Sequence, residues 1–405
     1  MTQRADSSIE SPVRNDRRAA RSRPLSGVED ILRAEARRLG FVACGITDAE
    51  DLDCGPTLEQ WLQSQRHGLM DYLASQPMQR VQPAARLPGA RSVVVVAWPY
   101  ALPAAPDPHW RQRLTGRIAA YAAGTDYHTH IAEKLELLAR FLRQATGCEA
   151  VAHVDAGPLV EKDLARRAGL GWYGRNTNLL MQNAGSSFLL GCLVTTADLA
   201  ADAPFTADHC GTCRACVPAC PTGALDDGPT IDARLCISYL TIELRGPVPP
   251  ALRERVGNWI FGCDLCQEPC PWTPASPVTH AFLQPYLPGL LELTPQQFRE
   301  TYAGTAVMRA KRRGLARNAA VALGNTANPA AVPSLARALR EHDEPLVRAH
   351  CAWALGRLAG AEAGAALEQA RKREQVPPVK SEIDEAITTL RQSGSKIQPG
   401  HDRVA

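Results

Sequence analysis

The chain has 405 residues, of which 45% are hydrophobic and 21% charged, with a formal net charge of +3 at pH 7. This balance is ordinary for a soluble globular protein, and the length suggests two or three domains. No apolar run approaches the roughly 18 residues of a membrane span, which excludes a membrane-spanning helix.

The N-terminal segment, MTQRADSSIESPVRNDRRAARSRP, is rich in arginine and has no apolar core of the kind found in secretory signals. It offers little to bury, so we expect residues 1–25 to form a disordered tail. The missing signal and the many cysteines together predict a reducing, cytoplasmic location.

Between residues 26 and 200, segments with helical and strand patterns alternate. The run from Ser92 to Ala97 is almost entirely valine, which predicts a strand buried on both faces. The alternation predicts a layered α/β domain over residues 26–200. The predicted helices cover 28–39, 57–73, 131–142 and 158–169, and the predicted strands cover 41–47, 92–97, 150–155 and 187–195.

Eight of the 13 cysteines fall between residues 210 and 270, which we call the cysteine segment. Its first run, CGTCRACVPACP, has the spacing of bacterial ferredoxins that hold two [4Fe–4S] clusters. In that pattern the first three thiolates bind one cluster, and the cysteine before the proline binds the other. The second run, CDLCQEPCP, is one cysteine short, so one ligand must come from elsewhere.

Counting ligands predicts how two clusters share these eight cysteines. Cys270 precedes a proline and should cross to the first cluster, as Cys220 should cross to the second. Cys236 is then the one nearby candidate for the last position. The predicted ligands are Cys210, Cys213, Cys216 and Cys270 for cluster one, and Cys220, Cys236, Cys263 and Cys266 for cluster two.

Structural zinc and disulfides are the alternatives for the cysteine segment. Zinc sites also use C-x2-C pairs, but three cysteines at this interval followed by Cys-Pro fit zinc poorly. Disulfides suit neither a reducing compartment nor cysteines this close together, which converge on a cubane more easily than they all pair. Two neighbouring clusters would form a path for single electrons.

The C-terminal region differs in composition and contains an internal repeat. The segment around Arg317 is echoed around Arg348, 31 residues later, and both copies contain the triplet Ala-Leu-Gly. Helix pairs that repeat at such a period are typical of HEAT-like solenoids, although an accidental helical bundle is the alternative. We expect a two-cluster domain at 201–285 and HEAT-like repeats at 286–395.

The richest stretch outside the cysteines is HVDAGPLVEKDLARRAGLGWYGRNTN, residues 153–178. Asp155 stands where a predicted strand ends, at an edge where layered α/β domains bind ligands. Its alternative role is to cap the helix that follows. The loop after that helix combines three glycines with Arg175 and Asn176, which can grip phosphate or amide groups.

The order of these motifs resembles that of the epoxyqueuosine reductase family. The shared series runs R-x2-P, Y-x2-G-x-D-Y-H, V-D-x-G-P, G-W-x-G-R-N-T-N, the two cysteine runs and a HEAT-like tail, over residues 26–390. The resemblance implies a multidomain α+β protein: a layered α/β cobalamin-binding domain, a ferredoxin-like two-cluster domain and C-terminal α-helical HEAT-like repeats.

The resemblance also implies an activity: reduction of epoxyqueuosine to queuosine at the wobble position of tRNA. Electrons would pass through the two clusters to cobalamin, giving cob(I)alamin, a strong nucleophile, while Asp155 donates a proton. The motif around Asp126 is not the D-x-H-x-x-G signature, so no histidine lower ligand is expected. The residues implied for cobalamin are Arg80, Tyr121, His128, Asp155, Arg175, Asn176 and Asp264.

Residues 301–340, which we call the basic stretch, contain seven lysines and arginines and no acid. Such a local concentration favours phosphate binding, although a charge run is often only a solvated face. The implied partners are tRNA with a GUN-type anticodon and a flavodoxin- or ferredoxin-type electron donor, and a monomer is expected. The candidate tRNA contacts are Arg309, Lys311, Arg312, Arg313 and Arg317.

Two other functions remain open at this point. A ferredoxin-type electron carrier with a docking domain would explain the cysteines but would leave residues 26–200 without a purpose. A corrinoid reductive dehalogenase would use the same cofactors but would make the basic repeats superfluous.

Overall fold

The computed structural model describes residues 27–394 apart from 104–106, 156, 183, 227, 275 and 277–280. The predicted disordered tail, residues 1–25, lies outside the described residues. Within the described ranges, no helix is both long enough and apolar enough to cross a membrane.

The first part of the chain, up to about residue 200, builds a layer of sheet between helices. Its helices are α1 (Val28–Arg38), α2 (Gly55–Gln63), α3 (Asp71–Ala74), α4 (Pro77–Arg80), α5 (Trp110–Arg113), α6 (Tyr127–Thr146) and α7 (Glu161–Arg167). Its strands are β1 (Ala43–Asp48), β2 (Ser92–Pro99), β3 (Arg117–Ile118), β4 (Ala150–His153), β5 (Trp172–Tyr173), β6 (Leu179–Leu180) and β7 (Phe188–Thr195).

The main sheet has the strand order β1-β2-β7-β4, and each neighbouring pair is antiparallel. Side chains alternate across a strand, so β2 supplies both faces. Val94 and Val96 pack with residues of α1 and α6, whereas Val93 and Val95 pack with residues of α7. The prediction of a layered α/β arrangement with a doubly buried central strand is therefore confirmed.

The helix predicted over residues 57–73 is wrong in its length. α2 ends at Gln63, and the chain then turns through Gln65 at φ 53° and Gly68 at φ 62° before α3 begins. Two left-handed residues so close together cannot continue a right-handed helix. The turn brings the backbone N–H of Leu69 to the hydroxyl of Tyr239, at 2.9 Å, and so packs this region against the cysteine segment.

The cysteine segment has little regular structure and is attached to the α/β layer. The strand β8 pairs in parallel with β3, and Tyr239, Leu240 and Trp259 form a separate small core. The elements of this region are α8 (Cys216–Ala219), α9 (Ile237–Ile242), α10 (Pro250–Arg253) and β8 (Trp259–Phe261).

The C-terminal region is helical and repeats as predicted. Gly324 in the first copy and Gly356 in the second lie at helix crossings, where an added Cβ would come within 3.0 Å of the Cα of Ala354 and Ala386 respectively. The Ala-Leu-Gly triplets therefore mark close helix packing. The helices are α11 (Leu287–Glu292), α12 (Pro295–Tyr302), α13 (Lys311–Gly324), α14 (Val332–Glu341), α15 (Pro345–Leu358), α16 (Ala361–Arg373) and α17 (Pro377–Gly394).

The structure corrects one predicted tRNA contact, Arg317 in α13. Its side chain is fully buried, and its guanidinium donates to the backbone carbonyls of Leu240, Leu244 and Gly246 at 2.7 Å each. A guanidinium has only donors, so this set of carbonyls satisfies it without any anion. Arg317 fastens the first repeat to the cysteine segment and cannot reach a phosphate.

Candidate active site

An open cleft lies where the α/β layer meets the cysteine segment. It brings together side chains from distant parts of the sequence: two acidic groups, a partly buried amine, three tyrosines and three thiols. These residues are Asp155, Glu161, Lys162, Tyr100, Tyr121, Tyr127, Cys236, Cys263 and Cys266.

Asp155 enters this cleft because the chain turns sharply after β4. The residue has φ 47°, in the left-handed region, and its backbone N–H donates to Oε1 of Glu161 at 2.7 Å. Its carboxylate does not cap α7, whose N-cap is Val160 without a side-chain hydrogen bond. The side chain is 59% exposed and faces the cleft.

Two rings from the start of α6 contact the carboxylate of Asp155. The hydroxyl of Tyr127 donates a short hydrogen bond to its Oδ2, and Nε2 of His128 lies 3.5 Å from the same oxygen. Asp126 caps α6 by accepting the backbone N–H of His128, which fixes the first turn. The sequence analysis included His128 but missed Tyr127, although the triplet Asp-Tyr-His was visible.

Glu161 and Lys162 were also missed by the sequence analysis. Burial first, and then the neighbouring charge of Asp155, raise the pKa of Glu161 to about 8. Burial lowers the pKa of Lys162, whose amine donates to the carbonyl of Thr177 at 2.9 Å. They directly follow the Asp155 motif in the sequence, but only burial distinguishes them from solvated charges at a helix start.

The loop with three glycines forms a hairpin between β5 and β6. An added Cβ on Gly171 would lie 1.9 Å from the carbonyl oxygen of Leu180, so this position requires glycine. The hairpin places Asn176, which is 3% exposed, against both the cleft and a second pocket, around Cys210, Cys213, Cys216 and Cys270. Arg175 lines that second pocket and donates to the carbonyl of Gly211 at 2.9 Å.

The four cysteines predicted for cluster one lie around one pocket. Burial raises the pKa of the Cys216 thiol, and the neighbouring thiols of Cys210, Cys270 and Cys213 raise it further. Cys270 thus lies near the first cysteine run although it is distant in sequence. Cys213 is the exposed member of this set.

The remaining four cysteines form a second, deeper group. Burial raises the pKa of Cys266, and the thiols of Cys236 and Cys220 raise it further. The pKa of Cys263 is likewise raised by burial and by the thiols of Cys266 and Cys236. In the described part of the chain, no three candidate ligands converge tightly enough for a single metal ion, whereas a cubane holds its thiolates farther apart.

The other residues implied for cobalamin have different surroundings. Tyr121 lines the cleft, and Asp264 is buried beside it with Oδ2 accepting the backbone N–H of Ala120 at 2.8 Å. Burial raises the pKa of Asp264 to about 7, and its Oδ1 has no hydrogen-bond partner among the described residues. Arg80 does not line the cleft and donates to the carbonyl of Tyr72 at 2.6 Å.

The basic stretch separates into exposed and engaged cations. Lys311 and Arg313 are exposed in the first turn of α13. The guanidinium of Arg312 binds the carboxylate of Asp343, and that of Arg309 lies 2.9 Å from both carboxylate oxygens of Asp126. Of the five predicted tRNA contacts, Lys311 and Arg313 are therefore the two that stay candidates for phosphate binding.

Three family models match separate parts of this chain. Residues 80–156 match the model described as "Epoxyqueuosine reductase QueG, DUF1730". Residues 209–273 match the "4Fe-4S double cluster binding domain", and residues 305–388 match "HEAT repeats".

Whole-chain similarities agree with these matches. An epoxyqueuosine reductase of Burkholderia pseudomallei (strain K96243) is 39% identical over 393 residues, covering 84% of this chain and 95% of the relative. The structure of epoxyqueuosine reductase from Streptococcus thermophilus superposes with a TM-score of 0.82 at 27% identity, covering 90% of this chain and 100% of the other. A crystal structure of epoxyqueuosine reductase with a tRNA-Tyr epoxyqueuosine-modified stem loop gives a TM-score of 0.81 at 28% identity, with 89% and 98% covered.

Proposed function

This chain belongs to the epoxyqueuosine reductase family, and on that premise we propose that it reduces epoxyqueuosine to queuosine at the wobble position of tRNA. The observation that carries the proposal is the cleft, because one wall presents the carboxylate of Asp155 and another presents the thiols of Cys236, Cys263 and Cys266. Reduction of an epoxide to an alkene consumes two electrons and two protons, and the oxygen is released as water. The cleft thus brings the source of electrons and a proton donor to one place.

The chain binds two [4Fe–4S] clusters, in agreement with its double-cluster domain. For their ligands we keep the partition by spacing, which the two groups of neighbouring thiols support. Cluster one takes Cys210, Cys213, Cys216 and Cys270, and cluster two takes Cys220, Cys236, Cys263 and Cys266. The deeper group lies against the cleft, so cluster two is the one that faces the reaction.

The chemistry of the residues around the cleft fits cobalamin. The walls combine apolar side chains such as Leu179 and Phe188 with three tyrosines, and the buried Oδ1 of Asp264 beside the cleft can accept a hydrogen bond from an amide. When bound there, cobalamin supplies a strong nucleophile that collects electrons delivered singly. The lack of a histidine lower ligand stays a prediction from the motif.

Asp155 holds the proton that is transferred to the released oxygen. Its carboxylate is exposed to the cleft, while the hydroxyl of Tyr127 and the ring of His128 fix the direction of Oδ2. The hydrogen bond from its backbone to Glu161 keeps the residue in its left-handed conformation. The donor is thus held in place by contacts that leave one carboxylate oxygen for the substrate.

The tRNA substrate is held partly by the basic start of α13. Lys311 and Arg313 are exposed there, two and four residues after Arg309, which contacts the residues around Asp155. Phosphate contacts at this place would put the anticodon loop at the mouth of the cleft. A GUN-type anticodon, a flavodoxin- or ferredoxin-type donor, a monomer and a cytoplasmic location complete the proposal.

The test is anaerobic incubation of the reconstituted protein with cobalamin, a reductant and epoxyqueuosine-containing tRNA, followed by nucleoside analysis. Queuosine should form, and Asp155→Asn should lower its rate by about 100-fold or more because a general acid is removed. The variant should keep both clusters and bind cobalamin. No queuosine from the wild type would refute the activity, and near-normal turnover by Asp155→Asn would refute the proton donor.

A further inference from the structure

We propose that Arg309 is a positioning residue for the proton donor rather than a tRNA contact, and this inference rests on the proposed function. Arg309 lies two residues before the start of α13, yet its side chain points back to the start of α6. There it orients the two rings that contact Asp155.

The guanidinium of Arg309 is committed to three neighbours on the first turn of α6. Its Nη2 lies 2.9 Å from both carboxylate oxygens of Asp126 and 2.5 Å from Nδ1 of His128. The same group lies over the ring of Tyr127, 5.2 Å from the centroid. All three polar contacts are made by Nη2, so this end of the cation is directed at the start of α6, although 30% of the side chain is exposed.

The contact with His128 determines where the ring carries its proton. A guanidinium only donates, so Nδ1 of His128 must accept, and the ring N–H then lies on Nε2. Nε2 is the atom 3.5 Å from Oδ2 of Asp155. A proton on Nδ1 could instead be donated to Asp126 at 3.2 Å, but it would face the donor of Arg309 at 2.5 Å. Arg309 therefore turns a hydrogen-bond donor towards Asp155.

Two hydrogen bonds to backbone carbonyls hold the segment around Arg309 in this position. Its carbonyl accepts a hydrogen bond from Nη1 of Arg245, in the cysteine segment, at 2.9 Å. The N–H of Asp126 donates to the carbonyl of Gly304 at 2.7 Å, which joins the start of α6 to the segment leading into α13. The segment that presents Lys311 and Arg313 for tRNA is thus the one that positions the partners of Asp155.

The decisive variants are Arg309→Met, which removes the contacts, and Arg309→Lys, which keeps a charge near Asp126. A lysine amine is a point donor, so it can keep an ion pair with Asp126 but loses the planar group that lies over the ring of Tyr127. Asp126→Asn tests the network from the other side, because asparagine still caps a helix but loses the charge. Arg371→Met is the matched control, because Arg371 lies in α16, is exposed and pairs with Asp384.

For Arg309→Met we expect single-turnover queuosine formation at saturating tRNA to fall by about 10- to 100-fold, because a displaced donor is costly. The tRNA dissociation constant should change by less than about threefold, since no phosphate contact is lost. The solvent deuterium isotope effect should rise as proton transfer becomes slower. Arg309→Lys should recover part of the rate, and Arg371→Met should behave as the wild type.

Combining Arg309→Met with Asp126→Asn should be no worse than the poorer single variant, because both disrupt one unit. Unchanged turnover in Arg309→Met, or normal turnover with greatly weakened tRNA binding, would overturn the inference while the activity stands. An inactive wild type would refute the proposed function itself and this inference with it. Should Arg309→Met fail to fold, the Arg309→Lys and Asp126→Asn pair decides by the same criteria.

Discussion

The cysteine segment and the basic stretch use their characteristic side chains in opposite ways. In the cysteine segment, the eight thiols gather into two groups, one around a pocket of its own and one against the cleft. In the basic stretch, neighbouring cations diverge: Arg317 points into the core, Arg309 to α6, Arg312 to Asp343, and Lys311 and Arg313 to solvent.

The difference teaches that metal ligation and charge constrain a chain to different degrees. A cluster requires its ligands to converge, so the spacing of the cysteines already indicates how they are arranged around it. A run of arginines has no such requirement, because each guanidinium is satisfied by whichever carbonyls, carboxylates or solvent its position offers. The following variants would break or sharpen this contrast.

The largest effect is expected for Arg317→Met. Three backbone carbonyls of the cysteine segment would lose their buried donor, which should lower the free energy of unfolding by about 2–4 kcal/mol. Thermal or urea denaturation measures this, and Arg357→Met, at an exposed ion pair with Glu254, is the control. Full stability together with weakened tRNA binding would restore Arg317 as an RNA contact.

Replacing Lys311 and Arg313 together by glutamate should weaken tRNA binding by roughly tenfold or more at low salt and flatten its salt dependence. Both side chains are exposed, so folding should be unaffected. Binding titrations at several salt concentrations make the measurement, with Arg371→Glu plus Lys372→Glu on α16 as the matched pair. Equal affinity in both double variants would show that the basic stretch is only a solvated face.

A twofold effect is expected for Cys236→Ala. Because Cys236 is assigned to cluster two alone, about half of the iron should be lost and the other cluster should keep its spectrum. Iron analysis and electron paramagnetic resonance after anaerobic reconstitution provide the readout, with Cys148→Ala as a control outside both groups. A full iron content in Cys236→Ala would contradict the ligand partition.

The smallest effect is expected for Arg312→Gln. Its guanidinium is already paired with Asp343 and its side chain is only 13% exposed, so tRNA affinity should change by less than about twofold. A loss as large as that of the Lys311 and Arg313 variant would show that this ion pair opens when RNA binds.

The sequence by itself determined the parts that depend on local patterns. The layered α/β domain, the double-cluster segment and the helical repeats followed from periodicity and spacing, because buried faces and converging ligands repeat at short intervals. The candidate Asp155 was visible for the same reason, since it stands at the end of a predicted strand. Its helix-capping alternative could not be dismissed from the sequence, because both roles need an acid at a strand–helix turn.

Only the tertiary structure decided what each polar side chain faces. Tyr127 and Arg309 meet around Asp155 from segments far apart in the chain, and Glu161 is set apart from other helix-start acids by burial alone. Arg317 and Arg313 are both arginines of α13, yet one is buried and the other exposed. Composition gives the charge of a residue, but the partner of that charge depends on neighbours that the fold brings from elsewhere. For this reason the prediction of five tRNA contacts in the basic stretch was too broad.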